Sequence, residues 1–464
     1  MKIYLCGPTV YDLLHVGNFR GAIFFNTLRN WFEHIGYEAT MVYNYTDVDD
    51  KIIKKANEEG VDTSVITERY IEAFETDFGR LGLRKHDHNP RVTDHMDDII
   101  SMVETLIKND KAYVVDGEVF YAIDNFEEYG RLSGKKLEDL EAGQRVEVDS
   151  KKKNPFDFVL WKPAKEGEPS WESPWGSGRP GWHIECSAMI KAILGDTIDI
   201  HGGGIDLIFP HHENEIAQGE GCNCQTYCNY WVHNEFINFG DEKMSKSLGN
   251  VVTGRAFMDR YSAEVLKFLM LSAHYRSTLS LTDEKAHQAM SGLSRIYNAL
   301  NVAQQVKDTF ENTGAGKVNK TFAQLLTQTD SKISKSMNDD FGTGEAISHI
   351  FEVVRSFNAL NLLKKKKDQN SYPTAVAFAE WIEKYGKLMA LFEQTPADFL
   401  SEIKEILLKE KNIDKAQVEE LLEKRSKARD EKNWELSDKL RDELLAMSIE
   451  FNDTPDGVVW HVKI

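Results

Sequence analysis

Several features are scarce in this sequence, and each scarcity excludes a class of protein. No run of about 18 or more apolar residues and no basic-then-apolar leader occurs, so neither a membrane span nor a secretory signal is predicted. The five cysteines are few and odd in number, which favours metal ligands or free thiols over a disulfide framework. From these absences we expect a cytoplasmic protein.

Positive charge is also in short supply. The formal net charge of -19 argues against a protein that coats nucleic acid, because phosphate contacts need lysine and arginine on the binding face. Any RNA contact must therefore use local basic patches. The chain also lacks a Walker P-loop and a Rossmann dinucleotide fingerprint, so phosphate binding would need another device.

The start of the chain has the pattern of a nucleotide-binding α/β layer. At 464 residues the chain is too long for a single hydrophobic core, so several domains are expected. Residues 2 to 6 alternate as a strand does, Phe25, Leu28 and Phe32 recur at helical spacing, and Met41 to Tyr45 read as a second strand. This order predicts a β-loop-α-β opening.

Two short motifs could handle a nucleotide triphosphate. His15 to Asn18 precede the predicted helix, whose N-terminus favours phosphate, and Gly17 would let adenine approach the backbone. Lys243 and Lys246 lie on a small-residue loop, where two cations could neutralise a departing pyrophosphate. Alone, the first motif could be a helix-capping turn and the second an exposed loop; together, in this order, they favour ATP chemistry.

Four residues could bind zinc, which takes about four nitrogen, sulfur or oxygen ligands. Cys6 ends the first strand, Cys186 lies in a polar motif, and His211 and Glu215 share one helical face at i, i+4 spacing. Spacing alone does not establish such a site. Cys6 and Cys186 could be ordinary buried residues, and His212 could replace His211.

A second cysteine group is less easily interpreted. Cys222, Cys224 and Cys228 resemble metal ligands in composition but lack a fourth partner at familiar spacing, although His233 is near. We expect loosely packed thiols, with a second structural metal as the alternative.

A run of three glycines has an alternative interpretation as part of an esterase active site. His201 to Gly204 could form an esterase oxyanion hole, but the Gly-x-Ser-x-Gly nucleophile motif that such an enzyme needs is missing. A loop that lets adenosine approach closely is the better interpretation, with Asp206 as a candidate ribose or α-amino contact.

Several tracts carry a resemblance to a known family. They are Cys6 to Asp12, Gly181 to Met189, His201 to Leu207 and Phe209 to Glu215. With the two nucleotide motifs, they make the chain similar to the cysteinyl-tRNA synthetases, which are class I aminoacyl-tRNA synthetases. The resemblance covers nearly the whole chain and is weakest from 310 to 410.

The resemblance implies a role for each candidate residue. It implies catalytic roles for His15, Asn18, Lys243 and Lys246, ATP contacts for Gly17, Asp206 and Lys246, an amino-acid pocket with Thr46 and Trp182, and zinc ligands Cys6, Cys186, His211 and Glu215. Zinc would select cysteine because a soft metal prefers a thiolate to the hydroxyl of serine. A lone tryptophan such as Trp182 is otherwise more often a core residue.

The C-terminal end resembles the anticodon-binding part of the family. Its basic residues alternate with aromatic ones, and the tRNA contacts expected here are Arg429, Trp434, Arg441 and Trp460. Aromatic rings can stack on unpaired bases while cations meet phosphate. The alternative is a charged helical hairpin without a ligand.

These expectations combine into one architecture and one reaction. We predict an α/β, Rossmann-like catalytic domain with an insertion, followed by a helical bundle and a small C-terminal domain. The expected parts are catalytic 1–90, insertion (connective) 91–170, catalytic 171–240, lysine loop and stem contact 241–311, helical bundle 312–404 and anticodon binding 405–464. The predicted enzyme is a monomer with one Zn²⁺ that uses ATP, Mg²⁺ and L-cysteine to charge tRNA(Cys). The alternatives are a ligase that joins cysteine to an amino sugar and a non-catalytic RNA-binding relative.

Overall fold

The structure, a computed structural model, divides into two compact units. It describes residues 1–135, 150–239, 242–243, 252–310, 316–364, 368–454 and 457–464. The first unit comprises Met1–Gly254 and Tyr275–Leu279, and the second comprises Arg255–His274 and Ser280–Ile464. The six-part division that the sequence suggests is finer and stays a prediction.

The first unit alternates strands and helices, as the sequence predicts. Its elements are β1 (Lys2–Leu5), α1 (Asn18–His34), β2 (Thr40–Tyr43), α2 (Asp50–Glu59), α3 (Thr63–Arg80), α4 (Met96–Lys108), β3 (Ala112–Val115), β4 (Glu118–Tyr121), β5 (Phe158–Pro163), β6 (Gly178–Pro180), α5 (Trp182–Leu194), β7 (Ile198–Gly204), α6 (Glu213–Asn223), β8 (Cys228–Asn234), β9 (Ile237–Phe239) and β10 (Glu242–Lys243).

A parallel sheet with the order β2-β1-β7-β8 organises this unit. Ile3 pairs with Met41 on one side and with Ile200 on the other. Parallel neighbours need a crossover, and α1 supplies it between β1 and β2. Because the strands run in one direction, their carboxyl ends meet at one edge, which is where ligands bind in open α/β sheets.

The glycine run belongs to this sheet rather than to a loop. Gly202 to Gly204 are the last residues of β7 and pair with β8, which corrects the loop interpretation. A Cβ atom on Gly202 would lie 1.9 Å from the Phe25 ring of α1. Glycine therefore lets the helix pack closely on the strand.

The insertion forms its own antiparallel sheet, β3-β4-β5-β6. The buried carboxylate of Asp157 ties it together, because it accepts hydrogen bonds from Tyr113 Oη (2.6 Å) and from the N–H groups of Ile123 and Asn154 (3.0 Å each). The predicted helix from 96 to 108 and the strand pair after it are both present.

The second unit is largely helical, which confirms the predicted fold class. Its elements are α7 (Gly254–Tyr261), α8 (Ala263–Leu271), β11 (Leu279–Leu281), α9 (Asp283–Thr309), α10 (Lys320–Asn338), α11 (Thr343–Ala359), α12 (Ser371–Met389), α13 (Pro396–Glu410), α14 (Lys415–Asp430), α15 (Trp434–Ala446), β12 (Ile449–Thr454) and β13 (Gly457–Val462).

Aromatic and polar contacts hold these helices together. Tyr297 of α9 stacks on Phe399 of α13 with ring centroids 4.0 Å apart, and its hydroxyl donates to the buried Glu264 carboxylate at 2.9 Å. The two predicted C-terminal helices appear as α14 and α15, whereas the β12–β13 hairpin is an addition to the prediction. Helix α13 runs through residue 405, where a domain boundary was expected.

Candidate active site with a metal-ligand cluster

The four proposed zinc ligands come together at the carboxyl edge of the parallel sheet. Ligand atoms of Cys6, Cys186, His211 and Glu215 all lie within 4.8 Å of one another. The two Sγ atoms are 3.9 Å apart, Cys6 Sγ is 3.7 Å from Glu215 Oε1, and His211 Nε2 is 3.0 Å from that oxygen. Tetrahedral zinc with Zn–S bonds of about 2.3 Å separates two sulfurs by about 3.8 Å. The donor set and its spacing therefore fit zinc.

Three separate segments deliver these ligands. Cys6 directly follows β1, and Cys186 lies in α5. The sequence predicts a helix from His211 onward, but α6 starts at Glu213, because an irregular turn at Ile208–His212 precedes it. The contact between His211 and Glu215 forms nonetheless.

Outer hydrogen bonds fix which Glu215 oxygen faces the cluster. Glu215 Oε2 accepts a hydrogen bond from the Tyr227 hydroxyl at 2.8 Å and lies 2.8 Å from His201 Nε2. All three side chains are almost wholly buried. Oε1 is left to face Cys6 and His211, so Tyr227 and His201 orient the ligand, as outer partners do in metal sites.

A second ligand set overlaps the first. Cys6, His201, His212 and Glu215 also lie within reach of one cation, and His212 Nε2 is 3.4 Å from Cys6 Sγ. In this set, however, His201 meets Oε2, the oxygen that Tyr227 already holds. His212 directs its other nitrogen to His233 Nε2 at 2.8 Å. The set with Cys186 and His211 therefore agrees better with the hydrogen bonds.

The charges of the cluster are arranged for a cation. The hydrogen bond from Cys6 lowers the pKa of Cys186 to about 6, whereas burial raises the pKa of Cys6 well above its usual range. Burial would raise the pKa of Glu215, but His201 and His211 hold it well below its usual range. Against the effect of burial, the Glu215 carboxylate raises the pKa of His211 to about 10. A metal ion would have to displace that proton, because a ligating imidazole is neutral.

A cavity of about 350 Å³ adjoins the cluster and holds the nucleotide candidates. Cys6, His15, Gly17, Asn18 and Asp206 all line it. Asn18 opens α1, and its Oδ1 accepts a hydrogen bond from the His15 N–H at 3.1 Å. The cavity thus lies at a helix N-terminus, where backbone N–H groups favour phosphate.

Sequence reasoning missed one wall of this cavity. Residues 234 to 237, which run from the last residue of β8 to the first of β9, line it as well. Buried Arg20 of α1 holds this wall, because its Nη1 donates to the carbonyls of Glu235 and Phe236 at 2.8 Å. Strand β8 is not among the strands predicted from the sequence; recognising it as a parallel strand would have supplied the signal, because ligands bind at the carboxyl ends of such strands.

Both ends of the lysine-loop segment are held near this cavity. The backbone of Lys243 in β10 pairs with Asn238, next to the cavity-lining Ile237. At the other end, the Val16 N–H donates to the Val252 carbonyl at 2.9 Å. Lys246 lies outside the described residues.

The two amino-acid-pocket candidates differ in position. Trp182 is 42% exposed, and its ring stacks on His211 with centroids 4.2 Å apart. Thr46 is buried, and its N–H donates to the carbonyl of the cavity-lining Pro8 at 3.2 Å. Trp182 thus borders the metal cluster directly, whereas Thr46 contacts the cavity only through its hydrogen bond to Pro8.

Comparisons with known proteins identify the family. Residues 1–291 match the family model "tRNA synthetases class I (C) catalytic domain", and residues 332–393 match the "DALR domain". The chain is 51% identical over 462 residues to a cysteine–tRNA ligase of Bdellovibrio bacteriovorus, covering 100% of this chain and 95% of that protein. The chain belongs to the cysteine–tRNA ligase family.

Further relatives agree with this membership. A cysteine–tRNA ligase of Geobacter sulfurreducens is 43% identical, with 100% of this chain and 95% of that protein covered. Among solved structures, Mycobacterium tuberculosis methionyl-tRNA synthetase in complex with methionyl-adenylate aligns with a TM-score of 0.65 at 15% identity, over 86% of this chain and 93% of that one. That likeness shows the class I fold. As a member of the cysteine–tRNA ligase family, the chain is a ligase and an aminoacyl-tRNA synthetase. No helix among the described residues is long and apolar enough to cross a membrane.

The C-terminal residues expected to contact tRNA in a cysteine–tRNA ligase have unequal surroundings. Trp434 is 59% exposed, whereas Trp460 is 9% exposed and lies under Lys404 Nζ, 4.1 Å from its ring centroid. Arg429 pairs with Asp453, and Arg441 lies 3.3 Å from Asp438. Of the two tryptophans, only Trp434 offers an open ring face.

The extra cysteines of this cysteine–tRNA ligase stay free thiols. Cys222 and Cys228 are buried and Cys224 is exposed. Cys228 Sγ donates to the Tyr230 carbonyl at 3.1 Å. Among the residues that the structure describes, the possible metal-ligand groups do not include this trio.

Proposed function

We propose that this chain activates L-cysteine with ATP and Mg²⁺ at the cavity beside the cluster and then transfers cysteine to the 3′ adenosine of tRNA(Cys). The observation that carries the proposal is the position of Cys6. Its thiol belongs to the four-ligand cluster, and the same residue lines the cavity that holds His15, Asn18 and Asp206. One pocket can therefore hold the side chain of the amino acid and the triphosphate together.

The cluster would select the substrate side chain. A bound zinc ion would supply a soft site that prefers the thiolate of cysteine to the hydroxyl of serine. Cys6, Cys186, His211 and Glu215 would hold that ion, while Trp182 stacks on His211 and would line the amino-acid pocket beside it. Discrimination against serine that rests on a directional bond to cysteine can reach about 10⁴-fold in kcat/KM without an editing site.

The cavity would stabilise charge as the adenylate forms. His15 and Asn18 lie at the N-terminus of α1, where they can hold the phosphates, and Gly17 and Asp206 would contact adenosine. We assign Lys243 and Lys246 to the departing pyrophosphate, because positioned cations supply most of the stabilisation in such a reaction. The anchoring of residues 243 and 252 near the cavity supports this assignment.

The second unit would carry the contacts to the anticodon region. We propose Trp434 as a base-stacking residue, Arg429 and Arg441 as residues near phosphate, and Trp460 as a further tRNA contact. We also propose a cytoplasmic monomer with one zinc per chain. Sedimentation velocity combined with metal analysis of the purified protein tests the stoichiometry, and a dimer or a metal-free active enzyme would contradict it.

The decisive experiment is charging of total tRNA with labelled cysteine or serine, before and after removal of zinc by a chelator. We expect charging with cysteine alone, its loss after chelation and its return when zinc is added back. Cysteine-dependent exchange of pyrophosphate into ATP without charging would keep the adenylate chemistry but exclude tRNA as acceptor. Equal charging after complete metal removal would exclude the role of the cluster.

A further inference from the structure

A second pocket lies in the first unit, next to His183. It measures about 500 Å³, and the residues that line it include Tyr129, Lys135, Lys152, Phe156 and His183. His183 Nδ1 is 2.9 Å from His211 Nδ1, so the pocket borders the metal-ligand cluster. It is separate in its lining from the cavity assigned to ATP.

The charge of this pocket is positive in a chain that is acidic overall. Lys135 Nζ lies 4.1 Å from the Phe209 ring centroid. Within the described part of the chain, neither Lys135 nor Lys152 forms an ion pair. The one carboxylate in the lining, Asp157, is already occupied by three hydrogen bonds. Two cations are therefore available for an anionic ligand.

The walls of the pocket suit a flat ring. Tyr129 and Phe156 are partly exposed aromatic residues, and Pro155 and Pro210 add apolar surface. Asn214, whose Oδ1 accepts from the Tyr129 hydroxyl at 2.5 Å, supplies a polar edge. Aromatic walls with nearby lysines are the features by which proteins bind unstacked nucleotides, since rings stack on the base and cations meet phosphate.

From this combination we infer that the pocket binds an unpaired nucleotide of the single-stranded acceptor end of tRNA. The inference rests on the proposed function, which brings that end to the neighbouring cavity. The volume suits one nucleotide, within the usual range for ligand pockets. Contact with His183 would place the nucleotide one residue away from the ligand His211 of the cluster.

A comparison of intact tRNA(Cys) with tRNA(Cys) lacking its three terminal nucleotides tests this inference. The test variant is Lys135→Ala/Lys152→Ala. The control variant is Lys151→Ala/Lys153→Ala, which removes the same charge from the same region. Lys151 pairs with Glu118 at 3.2 Å, and Lys153 lies over the Tyr113 ring at 4.3 Å. Phe156→Leu keeps the apolar volume but removes the aromatic face, and thermal unfolding verifies that each variant folds.

We expect the Lys135→Ala/Lys152→Ala variant to bind intact tRNA about tenfold more weakly than the wild type. Its affinity for the truncated tRNA should match that of the wild type, and Phe156→Leu should show the same pattern with a smaller loss. Equal losses for intact and truncated tRNA, or equal losses in the control variant, would overturn the inference by indicating general electrostatic attraction.

A free nucleotide has the same chemistry as the acceptor end, so AMP is titrated as a separate probe. AMP can also bind in the cavity assigned to ATP, so the number of AMP molecules bound per chain is measured. If Lys135→Ala/Lys152→Ala lowers that number from two to one but leaves binding of intact tRNA unchanged, the pocket takes a free nucleotide and the acceptor assignment is wrong. These measurements report binding. Failure of the wild type to charge any tRNA would instead contradict the proposed function.

Discussion

The metal-ligand cluster and the C-terminal ion pair both bring opposite charges together, but in different surroundings. The ion pair joins Arg429 of α14 to Asp453 of the β12–β13 hairpin. Cys186, His211 and Glu215 are at most 3% exposed, and outer hydrogen bonds fix their orientation. The side chains of Arg429 and Asp453 are 41% and 40% exposed. Charges gain strength when water is excluded and lose it when solvent and salt screen them. Single substitutions should therefore be severe in the cluster and mild in the hairpin.

The largest effect is expected from the loss of a ligand. Cys186→Ser replaces a thiolate with a hydroxyl, so we expect loss of bound zinc and a fall of at least about 100-fold in cysteine-dependent pyrophosphate exchange. Atomic emission measures the metal, and the exchange assay measures activation. Cys222→Ser is the matched control, because Cys222 is another buried thiol outside the cluster. Normal zinc content and exchange in Cys186→Ser would rule out the ligand assignment.

A smaller loss should follow when only the orientation of a ligand changes. Tyr227→Phe removes the hydrogen bond to Glu215 Oε2, and loss of such an outer partner lowers metal affinity about 10- to 100-fold. Competition with a chromophoric chelator measures the zinc Kd. Tyr121→Phe provides the control, since this buried tyrosine donates to the Ala217 carbonyl instead. If both variants lose zinc affinity equally, the effect comes from packing and not from the bond to Glu215.

Removal of the exposed Trp434 ring in α15 should have a moderate effect on tRNA binding. Base stacking contributes about 1 to 3 kcal/mol, so Trp434→Ala should weaken binding of tRNA(Cys) by roughly tenfold. Fluorescence anisotropy with labelled tRNA gives the Kd. Tyr230→Ala removes another exposed ring, 69% accessible, and should leave the Kd unchanged. An unaltered Kd in Trp434→Ala would rule out Trp434 as a base-stacking residue.

The sequence predicts features that depend on neighbouring residues better than features that depend on distant segments. The helix at Met96–Lys108 follows from apolar periodicity, because local pattern and burial agree there. The motif around His15 also carries its own context, since it directly precedes a helix. These features are encoded over a few consecutive residues.

Long-range partners are not encoded in that way. Tyr227 meets Glu215, and Arg20 holds Glu235, only because the strand order brings distant segments together. The glycine run was interpreted as a loop because glycine is rare inside strands, yet close packing of Phe25 on Gly202 decides otherwise. Likewise, the sequence does not show that Lys404 of α13 lies 4.1 Å from the Trp460 ring, and the tRNA contact of Trp460 stays a prediction.

The smallest effect is expected from the ion pair of the hairpin. The hydrogen bond from Arg425 lowers the pKa of Asp453, so the ionised carboxylate stabilises the fold above the usual carboxyl pKa. That contribution is lost as the pH falls through the lowered value. Arg425 is buried, but the Asp453 side chain is 40% exposed and asparagine keeps an oxygen that can accept the Arg425 hydrogen bond. We therefore expect Asp453→Asn to reduce the free energy of unfolding by only about 0.5 to 1 kcal/mol at pH 7. Urea unfolding at pH 7 and at pH 3 measures the difference between variant and wild type, which should shrink at low pH and in high salt. A loss of several kcal/mol, or one that is independent of pH, would show that burial matters as much here as in the cluster.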